Sequence, residues 1–271
     1  MSVAATGIPA LGLGAWLRTG EDGWRAILTG LELGYRHVDT AQTYGTEALV
    51  GRALRESGLP RRELFITTKV SDANLAKNDF LPSLGQSLER LGVDVVDLTL
   101  IHWPSFRDVV PFPHYMEDLA EAKARGMTRM IGVSNFPCAL LDRGVALLGE
   151  GALVTNQVEL HPYLQNREVQ ACCRRHGISV TAYMPLAGGR VSDDPHLTRI
   201  GARHHERATT VALAWLLQRG IVAIPASGSR DHMAANLRAL TVTLADDELA
   251  AIDALDRGNR LINPGKSPQW D

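Results

Sequence analysis

Val95-Val96-Asp97-Leu98-Thr99-Leu100-Ile101 runs straight into His102-Trp103-Pro104, and the reading of this stretch decides the fold. A strand with one wet face alternates apolar and polar residues, whereas a parallel strand covered on both faces stays apolar throughout. Only Asp97 and Thr99 interrupt the run. It is one of eight short runs rich in Val, Ile, Leu and Thr. They predict strands near 10–16, 35–40, 63–70, 95–103, 130–135, 154–160, 178–184 and 221–226.

Segments with helical spacing fall between these runs. Trp24, Ile27, Leu28 and Leu31 stand at i, i+3, i+4 and i+7, and Gly34 is placed to end that helix. Similar apolar faces occur at Leu49, Ala53 and Leu54, at Leu81, Leu84, Leu88 and Leu91, and at Val211, Ala214, Trp215 and Leu217. Strands that alternate with crossover helices predict an α/β protein, a (β/α)8 TIM barrel forming a single domain over residues 1–271. The structural rival, a doubly wound open sheet, binds dinucleotides through a Gly-rich turn after its first strand. Gly12 and Gly14 lack the third glycine of that turn, because Ala15, Trp16 and Leu17 follow.

Of the 271 residues, 45% are hydrophobic and 21% charged, as in an ordinary globular chain with a sizeable core. The net charge of -2, with signs mixed along the chain, excludes the electrostatic footprint of a nucleic-acid or anionic-membrane partner. Cys138, Cys172 and Cys173 are odd in number, and two are adjacent, so they read as buried or inert thiols rather than a disulfide framework. Met1 to Ala10 lacks the pattern of a secretory leader, and no window matches the ~20 apolar residues of a membrane span. A cytoplasmic protein, monomeric and acting on a small molecule, is the expectation.

Barrel enzymes carry their sites at the C-terminal ends of the strands. Asp39 ends Tyr35-Arg36-His37-Val38, Lys69 ends Leu64-Phe65-Ile66-Thr67-Thr68, and His102 ends Leu98-Thr99-Leu100-Ile101. Tyr44 follows Asp39 by five residues. Taken singly, Asp39 reads equally as a helix cap, Tyr44 as a core aromatic, Lys69 as a solvated loop residue and His102 as a satisfied core histidine. Together at one rim they suit carbonyl reduction. Hydride delivery leaves negative charge on oxygen, so a positioned donor must protonate it. An ammonium beside a phenol is expected to lower its pKa from ~10, and a carboxylate keeps the ammonium charged. Tyr44, Lys69 and Asp39 fit those roles, and His102 would fix the carbonyl.

Gly34-Tyr35-Arg36-His37-Val38-Asp39-Thr40-Ala41-Gln42-Thr43-Tyr44-Gly45, Ile66-Thr67-Thr68-Lys69-Val70 and Leu100-Ile101-His102-Trp103-Pro104 resemble the segments that carry the catalytic tetrad of the aldo-keto reductases. The likeness continues through Ile131-Gly132-Val133-Ser134-Asn135-Phe136 and Asn156-Gln157-Val158-Glu159-Leu160-His161-Pro162-Tyr163. The resemblance implies NADPH as cofactor and Tyr44 as general acid. It also implies Ser134, Asn135 and Gln157 on the nicotinamide carboxamide, Tyr183 stacked on its ring and Asn236 near adenine. An added docking segment beyond the barrel would mark the other reading, a nucleotide-bound regulatory subunit, and none is expected here.

The last strand departs from the family. Many members read Ile-Pro-Lys-Ser there with an Arg six residues beyond the Lys, whereas this chain has Ala226 and His232 at those positions. Each lost charge-assisted bond to a 2'-phosphate is worth roughly 1.5 to 3 kcal/mol. NADH therefore becomes an alternative cofactor. Arg230, helped by Ser227 and Ser229, is the expected replacement. Trp16 and Trp103 are expected to wall the substrate pocket, with Phe106 and Trp270 as further candidates. Asn259-Arg260-Leu261-Ile262 and the tail Pro268-Gln269-Trp270-Asp271 resemble the branch of the family that reduces 2,5-diketo-D-gluconate and reactive aldehydes such as methylglyoxal.

Overall fold

The computed structural model describes residues 7–271; residues 1–6, the start of the amino-terminal stretch read above, lie outside the described residues. Each of the eight expected runs contributes a strand: β1 (Leu13–Gly14), β2 (His37–Asp39), β3 (Phe65–Val70), β4 (Val96–Ile101), β5 (Thr128–Ser134), β6 (Leu153–Glu159), β7 (Ser179–Tyr183) and β8 (Val222–Ala223). They form one parallel sheet in strict sequence order. The outermost strands are shorter than their runs. Pro225 has no N–H to offer a ladder, which contributes to the early end of β8.

Helices cross over between successive strands. They are α1 (Gly20–Leu33), α2 (Glu47–Glu56), α3 (Phe80–Leu91), α4 (Phe112–Ala124), α5 (Cys138–Leu148) and α6 (Arg167–Arg175), then α7 (Pro195–His204) and α8 (Ala208–Gln218) together before β8. Two more, α9 (Arg230–Arg238) and α10 (Asp246–Asp253), follow it. Gly34 ends α1 in the left-handed conformation, φ 110°, which glycine reaches without a Cβ clash.

The sheet curls. Ile8, Phe65, Leu98, Leu100, Val222 and Ile224 form one buried apolar group, although β3 and β4 lie far from β8 in the strand order. Hydrogen bonds also join the two ends of that order: the N–H groups of Gly12 and Gly14 donate to the carbonyls of Ala223 and Pro225 at 2.9 and 3.0 Å. A larger apolar layer lies between the sheet and the helices from α3 onward, and a smaller one lies under α1 and α2. Because all strands are parallel, their C-terminal ends share one rim. No described helix is long and apolar enough to cross a membrane.

Candidate active site

Asp39 closes β2, Lys69 stands one residue before the end of β3, and His102 directly follows β4, so three neighbouring strands deliver them to the same rim. Tyr44 arrives on the one-turn helix Gln42–Tyr44. The Lys69 ammonium is fully buried and has three acceptors: the Asp39 carboxylate in a short ion pair, the Thr40 carbonyl at 2.9 Å and the Tyr44 hydroxyl at 3.3 Å. Since Lys69 donates to the phenol oxygen, the phenol proton is left to point elsewhere. The second Asp39 oxygen accepts from the Gln157 amide at 2.8 Å. Tyr44 and His102 meet edge to face, with ring centroids 5.5 Å apart.

Burial opposes the charge on Lys69, but Asp39 and Tyr44 outweigh it and hold its pKa above the ordinary value. Tyr44 corrects the expectation from sequence. Burial raises its phenol above the usual 10, and the pull of Lys69 in the other direction does not cancel that. The phenol is therefore a firmly protonated donor. Burial, then Lys69 and Lys266, drive His102 well below 6.5, so its ring is neutral at pH 7. Thr43 Oγ1 lies 3.2 Å from Nδ1. When Thr43 donates there, the ring proton rests on Nε2.

These groups face a cavity of about 1000 Å³. Asp39, Tyr44 and His102 line it together with Trp16 and Trp103, and so do Ala226, Ser227, His232 and Asn236. Ser134, Asn135, Gln157 and Tyr183 complete this part of the lining. Asn135 follows β5 with φ 63°, a conformation asparagine tolerates better than most residues, and its amide turns back to the His102 carbonyl at 3.0 Å. The Tyr183 hydroxyl donates to Asn135 Oδ1 at 2.8 Å, which pins the ring at the cavity wall.

Four expected positions lie elsewhere. Arg230 does not line the cavity; its guanidinium pairs with Glu32 of α1 at 3.1 Å and is 60% exposed. It starts α9 pointing outward, so the expected replacement cation is misplaced. Ser229 caps α9 by accepting from the His232 N–H. Phe106 is exposed under Arg107, and Trp270 packs behind Trp103 rather than on the cavity. Sequence reading also missed two cations. Arg18 and Arg207 line the cavity, and neither has a carboxylate within ion-pairing distance among the described residues. Arg18 Nε is buried without a hydrogen-bond partner, and Nη1 lies 2.8 Å from where a Cβ on Gly228 would stand. The signal in sequence was an arginine just past the first strand, two residues beyond Trp16.

Residues 10–257 match the aldo/keto reductase family. The chain belongs to that family. It is 47% identical over 265 residues to methylglyoxal reductase DkgB of Escherichia coli O157:H7, covering 97% of this chain and 99% of that protein. An aldo-keto reductase of Mycolicibacterium vanbaalenii is 41% identical over 254 residues, 94% of this chain and 90% of the other. Among solved structures, one provisionally named 2,5-diketo-D-gluconic acid reductase B superposes with a TM-score of 0.95 at 40% identity, covering 100% of this chain and 98% of that one.

In this aldo/keto reductase the tail that follows α10 is stitched over the rim. Glu159, fully buried at the end of β6, accepts from the N–H groups of Leu261 and Ile262 at 2.7 and 2.8 Å and from His161 at 3.0 Å. Ile262 and Pro264 thereby become cavity wall. Lys266 pairs with Asp72 at 2.6 Å, and Arg260 stacks on Trp270 at 3.7 Å. This tail is the feature that places Lys266 near His102.

Proposed function

We propose that this chain folds as one closed (β/α)8 domain that reduces small dicarbonyl or keto-aldehyde substrates, methylglyoxal and 2,5-diketo-D-gluconate among them, with a nicotinamide cofactor. The observation that carries this reading is the Tyr44 hydroxyl, 3.3 Å from a buried Lys69 ammonium and lining a cavity large enough for cofactor and substrate together. The names of the similar DkgB protein and of the similar solved structure support the substrate class.

The cavity fits a nicotinamide cofactor without a Gly-rich turn. A Cβ on Gly14 would stand 3.0 Å from the Ile224 carbonyl, so the wall is kept bare there. Ser134, Asn135 and Gln157 offer a hydroxyl and two amides for a carboxamide, and the pinned Tyr183 ring offers a flat face for the nicotinamide. Ser227, His232 and Asn236 would meet the adenosine end, with the Arg18 guanidinium beside Gly228 as the cation for a phosphate. We assign to Arg18 the role that sequence gave to Arg230. On this reading NADPH is preferred, and NADH is accepted because Ala226 and His232 leave fewer fixed charges.

The cofactor, when bound, supplies the hydride. Tyr44 donates its hydroxyl proton to the substrate oxygen as negative charge develops there. The phenolate left behind is stabilised by Lys69, whose charge Asp39 secures, until solvent restores the proton. His102, neutral and donating from Nε2, orients the carbonyl oxygen toward Tyr44. Trp16, Trp103 and the tail residues Ile262 and Pro264 narrow the mouth and exclude water.

The test is spectrophotometric: loss of reduced-cofactor absorbance with NADPH or NADH and a panel of methylglyoxal, 2,5-diketo-D-gluconate and an aromatic aldehyde. Turnover on the first two, abolished by Tyr44→Phe, is the expected result. Unchanged turnover in Tyr44→Phe would overturn the assignment.

A further inference from the structure

Outside the cavity, one cluster of soft and borderline ligands has no part in carbonyl reduction. Cys138 and Asp142 stand at i and i+4 on α5; Cys172 and His176 stand at i and i+4 along α6 and its C-cap. Residues four apart share one helical face. The two helices pack side by side, so the two pairs confront each other. One ligand atom each from Asp142, Cys172 and His176 lie within 4.8 Å of one another. His176 Nε2 is 2.6 Å from Asp142 Oδ1, and Cys172 Sγ is 3.8 Å from the same oxygen. Cys138 stands one turn before Asp142 on the same face of α5 but lies outside this three-atom cluster: its thiol donates to the Glu168 carbonyl at 3.6 Å and must turn from there to become a fourth donor.

We propose that α5 and α6 together bind a zinc-class divalent cation through the clustered Asp142, Cys172 and His176, with Cys138 completing the site once its thiol turns from the Glu168 carbonyl. A tetrahedral site with bonds of about 2.0 to 2.3 Å separates its ligand atoms by about 3.3 to 3.7 Å. The Asp142–Cys172 spacing is already close to that range. The Asp142–His176 hydrogen bond must open by roughly 0.7 Å to admit an ion, a side-chain adjustment that Asp142, 53% exposed, can make without moving a helix. Two thiolates, one imidazole and one carboxylate select zinc over magnesium or calcium, which prefer oxygen ligands alone. Each thiol releases one proton to solvent on binding, and no redox change is involved.

The position gives the ion a structural consequence. Cys138 begins α5 only three residues after Asn135, which lines the cavity, and its N–H donates to the Asp271 carboxylate at 2.9 Å. A bound ion would tie the rim loop 135–137 to α6 and hold the chain end beside it. Cys173, adjacent to Cys172 and fully buried, is not among the clustered ligand atoms, which makes it an internal control.

The experiment uses the full chain, stripped with chelator and kept reduced, titrated with zinc against a chromophoric chelator and separately with cobalt. Expected are one zinc per chain, a thiolate-to-cobalt charge-transfer band and a zinc-dependent rise in melting temperature. Cys138→Ser, Cys172→Ser and His176→Ala are each expected to lower zinc affinity more than about tenfold. Cys173→Ser should leave it unchanged. Because Cys172 is buried, each variant's melting temperature in chelator is compared with that of stripped wild type, so that misfolding is separated from ligand loss. Absence of the charge-transfer band, or zinc affinity and zinc-induced stabilisation that survive Cys172→Ser or His176→Ala, overturns the site. Full affinity in Cys138→Ser overturns the fourth ligand.

Discussion

Replacing Arg18 with alanine should weaken NADPH binding far more than NADH binding. The guanidinium stands beside Gly228, its Nε is buried without a partner, and no described carboxylate neutralises it. A single charge-assisted bond between such a group and a phosphate contributes about 1.5 to 3 kcal/mol. Arg18 is only half-buried, so solvent screening places it near the lower end, and about 1.5 to 2 kcal/mol corresponds to roughly a 10- to 30-fold rise in Kd. NADH has no 2'-phosphate and should lose less than about threefold. The assay is quenching of intrinsic fluorescence, because Trp16 and Trp103 line the cavity. Titrations at two salt concentrations should show the NADPH difference shrinking as salt rises. Arg230→Ala is the control: an exposed guanidinium already paired with Glu32 should matter less than about twofold. Equal weakening of both cofactors by Arg18→Ala, or a selective NADPH loss in Arg207→Ala in its place, would refute the reasoning.

Lys69→Met leaves the Asp39 carboxylate buried without its cation and should destabilise the fold by about 3 to 5 kcal/mol in urea unfolding. Adding Asp39→Asn should restore part of that stability while activity stays lost, which separates the structural from the chemical role of the pair. Burial lowers the pKa of His37 from 6.5 to about 4, so the unfolded chain binds a proton that the folded chain does not. Its contribution is present above pH 6.5 and lost as pH falls toward 4, on the order of 3 kcal/mol. Urea midpoints measured between pH 7 and 4 should fall less steeply in His37→Gln; an identical slope would contradict the assignment. Glu159→Gln replaces one oxygen that receives a tail N–H with an amide and should raise proteolytic cleavage within 259–271, together with KM for the carbonyl substrate. Unaltered cleavage and KM would show that the tail is held by other contacts.

The fold was legible because its signal is repeated: every crossover carries an apolar helical face, and eight apolar runs admit few topologies. Even Asp97, which interrupts the decisive run, has its reason in the structure. It accepts from Arg61 at 2.6 Å and from the Ile66 N–H at 2.8 Å, and it also pairs with Arg129. The convergence of Asp39, Lys69 and His102 was legible because strand ends are fixed by the ladder, and residues at those ends must meet at one rim; Tyr44 joins them from the short turn that follows β2. Arg18 and Arg230 were not legible for the opposite reason. Both sit on loops, where the direction of a long side chain depends on competing partners, and nothing local reveals that Glu32 of α1 captures Arg230. The Tyr44 shift was misjudged because sequence supplies neighbours but not depth, and depth dominates there.

That depth also bears on the role proposed for Lys69. With the Tyr44 phenol raised by burial, the proposed mechanism gives Lys69 no part in ionising it at rest; there Lys69 limits the cost of ionisation once the proton has left for the substrate. Its effect should therefore appear in kcat rather than in cofactor affinity. The geometry is demanding. A fully buried ammonium directs its three protons to the Asp39 carboxylate, the Thr40 carbonyl and the Tyr44 oxygen, an arrangement of one compact charge among three acceptors. A guanidinium is planar, larger and forked, and cannot reproduce three bonds from one nitrogen. Lys69→Arg, although it preserves charge, should lose about as much kcat as Lys69→Met, on the order of a hundredfold or more. Activity of Lys69→Arg within tenfold of wild type would mean that net charge alone suffices, and the three-acceptor account would fail.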